Sequence, residues 1–261
     1  MTRPFLQFCE TERDGHLLTI TINRPEVMNA LHPPASLELE SVFNDFATDP
    51  ELWVAILTGA GDRAFSAGND LKFQASHGKI ARAQTGFAGL TSRFDLVKPV
   101  IAAVNGIAMG GGFEIALACD LIIASETAVF ALPEPRVGMA ALAGGLHRLP
   151  RQIGLKRAMG MILTGRRVSA AEGERLGFVN EVVAPHELMR SARRWADMIL
   201  ECAPLSIRAS KDVVMQGLRE ADLQAAMANP PASVALLYGS EDYVEGPRAF
   251  SEKRTPRWLG R

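Results

Sequence analysis

The stretch that most limits what this chain can fold into is "PVIAAVNGIAMGGGFEIALACD", residues 99–120. A short apolar run ends at Asn105-Gly106, and Gly110-Gly111-Gly112 then opens into a segment with helical spacing. Strand, glycine turn and helix start in that order call for a helix laid on a sheet, so a layered α/β core is expected. The run also has the apolar character of a membrane span. Its glycines, Asn105 and Glu114 break it before it reaches the roughly 20 residues a span needs, so buried core is the better reading. Glu114 then needs an explanation, because a carboxylate in apolar surroundings requires either a salt bridge or a chemical use.

The rest of the chain fits an α/β alternation. "LLTITI" (17–22), "WVAILTG" (53–59), "PVIAAVNG" (99–106), "DLIIAS" (120–125), "AVFAL" (128–132) and "FVNEVV" (178–183) read as strands. Residues 36–48, 111–119 and 155–163 suit helices. From Ala192 onward Arg-, Ala- and Met-rich segments dominate, punctuated by Pro204, Pro230-Pro231 and Pro256. Residues 1–191 are therefore expected to form the α/β core and 192–261 a helical region.

Composition excludes several classes. The 28 basic and 29 acidic residues nearly cancel, which removes the electrostatic footprint of a nucleic-acid or anionic-membrane binder. "MTRPFLQFCE" at the start carries neither a secretory nor a transit signal, so a cytoplasmic location is expected. Cys9, Cys119 and Cys202 are odd in number and widely spaced, which suggests three buried thiols rather than disulfides or a metal site. His16, His32, His77, His147 and His186 show no metal or triad spacing, and they, with Trp53, Trp195 and Trp258, read as structural or surface residues.

Two turns and two carboxylates carry the chemical signal. Gly59–Ala64 fits a loose dinucleotide pattern after a strand, but Phe65–Asp70 continues into another turn instead of a long helix, so that reading fails. The Gly110-Gly111-Gly112 turn places free backbone N–H groups and the positive end of a helix dipole at one point, which suits an oxyanion. The competing reading is that three glycines merely let helix and sheet pack closely. Glu114 lies one turn into the helix, and Glu134, between Pro133 and Pro135, is expected to be held extended at a strand end. Together they suit a reaction in which two amides hold an acyl oxygen, one carboxylate activates water and the other moves a proton at the adjacent carbon.

At this point the chain resembles the enoyl-CoA hydratase/isomerase, or crotonase, superfamily. The matching stretches are "AFSAGNDL" (64–71), "KPVIAAVNGIAMGGGFEIALACDLIIAS" (98–125), "FALPEPRVGM" (130–139), "LTGRRVSAAEGERLGFVNEVV" (163–183) and "EGPRAFSEKRTPRWLGR" (245–261). The resemblance implies a spiral of ββα units with a helical C-terminal region, assembled as a trimer or dimer of trimers. It implies oxyanion amides at Asn69 and Gly111, water activation by Glu114 and proton transfer at the α-carbon by Glu134. Ala64, Ala67, Gly68, Asp70 and Leu71 match the CoA cradle, with Gly110, Pro133 and Leu142 completing the substrate set. Phe250 and Lys253 match terminal-helix positions that approach CoA from a neighbouring subunit. No metal or redox cofactor is implied; coenzyme A enters as part of the substrate, with no nucleic-acid or membrane partner.

One departure concerns residues 138–145, where Leu142 stands in place of a glycine near the expected water. A larger apolar side chain there would narrow the acyl pocket or displace that water, and residues 73–87 are expected to share in shaping it. "FALPE", "LTGRR" and "EGPRAFSEKR" also resemble carnitinyl-CoA dehydratase-like members, which makes a substituted or polar acyl chain an alternative to a simple 2-enoyl-CoA. Isomerisation or thioester hydrolysis would use the same oxyanion hole. A CoA- or RNA-binding protein with weak catalysis is the reading from another class.

Overall fold

A computed structural model describes residues 6–77 and 83–261. Among the described residues there are ten strands: β1 (Cys9–Asp14), β2 (Leu17–Ile22), β3 (Val54–Gly59), β4 (Ala64–Ser66), β5 (Val100–Val104), β6 (Ile107–Met109), β7 (Leu121–Ser125), β8 (Val129–Ala131), β9 (Val168–Ser169) and β10 (Glu181–Val183). The helices that matter for the site are α1 (Pro33–Thr48), α2 (Leu71–His77), α3 (Gly111–Ala118), α4 (Gly145–Ile153) and α5 (Leu155–Thr164). They are followed by α6 (Ala170–Leu176), α7 (Leu188–Leu200), α8 (Pro204–Gly217), α9 (Leu223–Ala228), α10 (Ala232–Tyr238) and α11 (Glu241–Glu252).

The strands form two sheets, one ordered β1-β2-β3-β5-β7-β10 and one ordered β4-β6-β8-β9. Along the chain β3, β5 and β7 enter the first sheet, and each is followed directly by a short strand, β4, β6 or β8, of the second. This is a spiral of ββα turns, as the resemblance implied. The corner from β5 to β6 shows why the chain can bend so sharply. A Cβ on Gly106 would overlap the Arg63 carbonyl, and Asn105 Nδ2 ties the corner to the carbonyls of Gly59 (2.9 Å) and Gly61 (2.7 Å).

Side-chain alternation along β3 and β5 divides the core. Ala55, Leu57, Ala102 and Val104 face the space between the sheets, where Phe43, Phe46, Phe65, Phe113 and Phe130 are buried. Val54, Ile56, Ile101 and Ala103 face outward, and Leu188, Ala192 and Ala196 of α7 cover them. Both faces are apolar because both are covered. Each fully buried Phe or Ile contributes roughly 1.5–3 kcal/mol relative to exposure.

Several expectations change. The stretch 105–120 is no span: it divides among a corner, β6 and the eight-residue α3, and no described helix is long and apolar enough to cross a membrane. The strand expected over 178–183 is confined to Glu181–Val183, because Phe178 turns into the core against Phe113 (5.1 Å) and Phe130 (5.2 Å). The division at residue 192 falls inside α7, whose apolar stripe seals the first sheet. Cys9 and Cys119 are buried as expected, but Cys202 is exposed, since it lies just past the end of α7.

Candidate active site

The turn after β4 is built around Ser66 and Gly68. Ser66 donates its hydroxyl to the Asn29 carbonyl (2.8 Å) and accepts the Gly68 N–H (3.1 Å). Gly68 sits at φ +87°, and a Cβ there would lie 2.6 Å from the Met109 carbonyl and 2.8 Å from the Gly111 nitrogen. The absence of a side chain thus lets this turn press against the start of α3. Leu31 forms a parallel bridge with Asn69, donating its N–H to the Gly68 carbonyl (2.7 Å) and accepting the Asp70 N–H (3.0 Å). In such a bridge the polar groups of the middle residue point the other way, so the Asn69 amide is turned from Leu31. Gly111 is the first residue of α3 and its N–H has no partner within the helix. Both residues line one cavity of about 660 Å³.

The three glycines have separate reasons. A Cβ on Gly110 (φ +54°) would come within 2.9 Å of Glu134 Oε1, and one on Gly111 within 2.5 Å of the Phe87 ring. A Cβ on Gly112 would overlap the Ser66 carbonyl. Close packing therefore explains Gly112, whereas Gly110 and Gly111 make room for a carboxylate and an aromatic ring of the cavity.

Glu114 is 3% exposed, and its Oε1 accepts the Gly145 N–H at 2.8 Å. No ion pair involves it among the described residues, so the salt-bridge explanation falls away. Burial is the largest influence on its carboxyl and drives the pKa up to about 7. Glu134 pushes the same way, while the Gly145 and Ala143 amides and the Arg148 charge oppose it.

Glu134 is not extended as expected. It opens a 3-10 turn over Glu134–Val137, with Pro133 at ψ 5°, because Pro135 tolerates the first turn of a helix, where its missing N–H is not needed. The turn carries the carboxylate over Gly110. Burial raises its pKa as well, and its Oε2 is buried without a hydrogen-bond partner among the described residues. Such an orphan points to a group held for a ligand.

The cavity thus brings together Asn69, Gly111, Glu114, Glu134 and Leu142. Leu142 is 80% exposed, so it stands at the rim. Ala67, Gly68 and Asp70 form the turn around Asn69, with Ala64 at the start of β4 before it and Leu71 opening α2 after it. Ala64 is buried in β4, the Ala67 N–H donates to the Met28 carbonyl, and Leu71 is exposed. Asp70 caps α2 through the Phe73 N–H (3.0 Å) and pairs with Arg24 (3.1 Å), which occupies its carboxylate locally. Phe250 and Lys253 lie at the end of α11, outside the residues lining this cavity, with Phe250 87% exposed.

Other cavity residues escaped the sequence reading. His32 caps α1, accepting the Ala35 N–H on Nδ1, and also faces the cavity; the His-Pro-Pro run before a helical pattern was an available signal. Thr91 and Ser92 come from a loop with no periodic signature, whereas Phe87 falls within the 73–87 segment expected to shape the pocket; Ala88 between them takes a left-handed φ of 56°. Part of the 73–87 segment, residues 78–82, lies outside the described residues.

Comparison with known proteins places these features in context. Residues 12–261 match the family model described as enoyl-CoA hydratase/isomerase. The chain is 46% identical over 256 residues to a carnitinyl-CoA dehydratase of Salmonella typhi, covering 95% of this chain and 97% of the relative. Among solved structures it is similar to an enoyl-CoA hydratase from Mycobacterium tuberculosis H37Rv (TM-score 0.90, 36% identity, 97% of this chain and 99% of that one). A second, from Bacillus anthracis, superposes with TM-score 0.89 at 36% identity over 98% of this chain and all (100%) of that one. With a family match spanning nearly its whole length and a shared fold, the chain belongs to the enoyl-CoA hydratase/isomerase family.

Proposed function

We propose that the site catalyses reversible addition of water to a 2-enoyl-CoA, with Asn69, Gly111, Glu114 and Glu134 as its working groups. The chain is an enzyme of the hydro-lyase type acting on CoA thioesters. The observation that carries the residue assignment is the pairing of two carboxylates, Glu114 buried and Glu134 half-buried and both with raised pKa values, in one cavity with the Asn69 and Gly111 amides.

In the hydration direction the Asn69 and Gly111 N–H groups hold the thioester oxygen as negative charge builds on it. Ionised Glu114 takes a proton from water while the water oxygen bonds to Cβ of the enoyl group. Glu134, in its protonated form, gives its proton to Cα, so the charge on the thioester oxygen is discharged and the 3-hydroxyacyl-CoA results. Dehydration runs the same steps in reverse. The Gly145 N–H fixes which Glu114 oxygen is free to meet the water.

The test is loss of conjugated-thioester absorbance with crotonyl-CoA and a panel of longer, aromatic and γ-substituted enoyl-CoAs. Glu114→Gln and Glu134→Gln should each reduce turnover at least about 100-fold; full activity in either variant rejects the assignment. The relatives named carnitinyl-CoA dehydratase favour a second reading within the same chemistry, a γ-substituted polar acyl group. Preference for that substrate over crotonyl-CoA in the panel would select it. We further propose that residues 192–261 mediate assembly into a trimer or dimer of trimers and bring Phe250 and Lys253 to a neighbour's CoA. The exposed Phe250 supports this, and light scattering of the purified protein tests it.

A further inference from the structure

Arg148, on the first turns of α4, lies behind Glu114 and takes no part in the steps above. Its Nη2 donates to the Thr91 carbonyl at 2.8 Å, and Thr91 lines the cavity. Its guanidinium also lies against Gly144, where a Cβ would overlap Nη1. Gly144 takes φ +108° and immediately precedes Gly145, whose N–H donates to Glu114. One side chain therefore braces two segments that enclose the Glu114 carboxylate: the turn that supplies its hydrogen bond and the loop carrying Phe87 and Thr91. Phe94 stacks on the outer side, its ring 5.9 Å from the Arg148 guanidinium carbon and 5.7 Å from that of Arg219.

The charges facing Glu114 are few. Glu134 lies across the cavity and, when ionised, disfavours ionisation of Glu114, while Arg148 favours it. The Cys119 thiol, at the end of α3, faces Arg148 and is held neutral by burial. His32 lines the same cavity, with burial favouring its neutral form. Arg148 is thus the positive charge that favours the ionised Glu114, and it makes no direct ion pair with that carboxylate among the described residues. A guanidinium in contact with the carboxylate would hold it in a low-pKa ion pair and make it a poor base, whereas one set behind the glycine turn leaves the acceptor free.

We infer that Arg148 is a positioning residue for the water-activating glutamate: it holds the Gly144-Gly145 turn and the Thr91 loop around Glu114 and supplies the positive field that keeps this carboxylate ionisable. The inference rests on the reading of Glu114 as the base.

Three variants separate the possibilities in pH profiles of kcat/KM for hydration. Arg148→Gln keeps a donor for the Thr91 carbonyl but loses the charge. Its acidic limb should move to higher pH by about half to one unit, with kcat down about tenfold and KM within about threefold. Arg148→Lys keeps the charge, so its limb should stay at the wild-type position even though the brace is weakened. Glu114→Gln is the control. If Glu114→Gln retains activity, the base assignment is wrong and the inference goes with it. If Glu114→Gln is inactive and the limb of Arg148→Gln coincides with wild type, Arg148 is only a packing residue. Limbs that shift equally in the Gln and Lys variants overturn the electrostatic role. Thermal scans show whether each variant is folded, and a fall in Tm without a limb shift counts against the proposal.

Discussion

Replacing Glu114 by Gln should abolish turnover and at the same time stabilise the protein above neutral pH. The carboxyl is 3% exposed and its pKa lies at about 7 against an ordinary 4.5. Between those values the folded protein holds a proton that the unfolded chain has released, so stability falls as pH rises through this window and levels off above it. At about 1.4 kcal/mol per pH unit, the ionised carboxylate costs the fold about 3 kcal/mol near pH 8 and under about 1 kcal/mol near pH 5. The glutamine keeps the Gly145 hydrogen bond through Oε1 but buries an NH₂ group, at a further cost of about 1 kcal/mol that does not depend on pH. Subtracting the variant's shift near pH 5 from its shift near pH 8 removes that cost. A relative stabilisation of about 2–3 kcal/mol remains, or roughly 5–10 °C in Tm for a chain of this size. Differential scanning of both proteins at the two pH values measures it. A Tm shift that is the same at both, within about 2 °C, would refute the claim that a desolvated carboxylate is held there for catalysis.

Because Glu114 must be ionised to accept a proton from water, kcat/KM for hydration should fall as pH drops below about 7, as read by a stopped-flow or absorbance pH series. Gly110→Ala puts a methyl 2.9 Å from Glu134 Oε1 at a left-handed φ, and kinetics with crotonyl-CoA should show kcat reduced by about 100-fold with KM nearly unchanged. Leu142→Gly opens the cavity rim and should raise kcat/KM for bulky acyl groups relative to crotonyl-CoA by about tenfold, measured by substrate competition. Gly112→Ala forces a methyl into the Ser66 carbonyl and should leave little soluble protein, in contrast to Gly110→Ala.

Much of the frame could be read from residue order. Apolar runs of five or six residues became β2, β3, β5 and β7, and the glycine turn before "FEIALA" became the start of α3. Glu114 was conspicuous because a carboxylate in such a run is energetically out of place. The two- and three-residue strands of the second sheet, β4, β6, β8 and β9, carry too little pattern to stand out alone, and of these only β8 lay within a recognisable run. Their pairing in a second sheet depends on contacts far away in sequence. Asn69 came from the resemblance, since nothing local distinguishes its amide from its neighbours'.

What residue order by itself determined is therefore the set of groups: two glutamates, glycine turns with free amides, and apolar strands able to be covered on both faces. Tertiary structure decided how those groups behave. Gly145, 31 positions from Glu114, supplies its hydrogen bond, Gly110 admits the Glu134 carboxylate, and a 3-10 turn rather than an extended segment aims it. The Glu114 pKa is the sum of burial, two amides and two opposed charges. Each depends on distances through a low-dielectric interior that exists only once the two sheets, α3, α4 and the Phe87 loop have packed together.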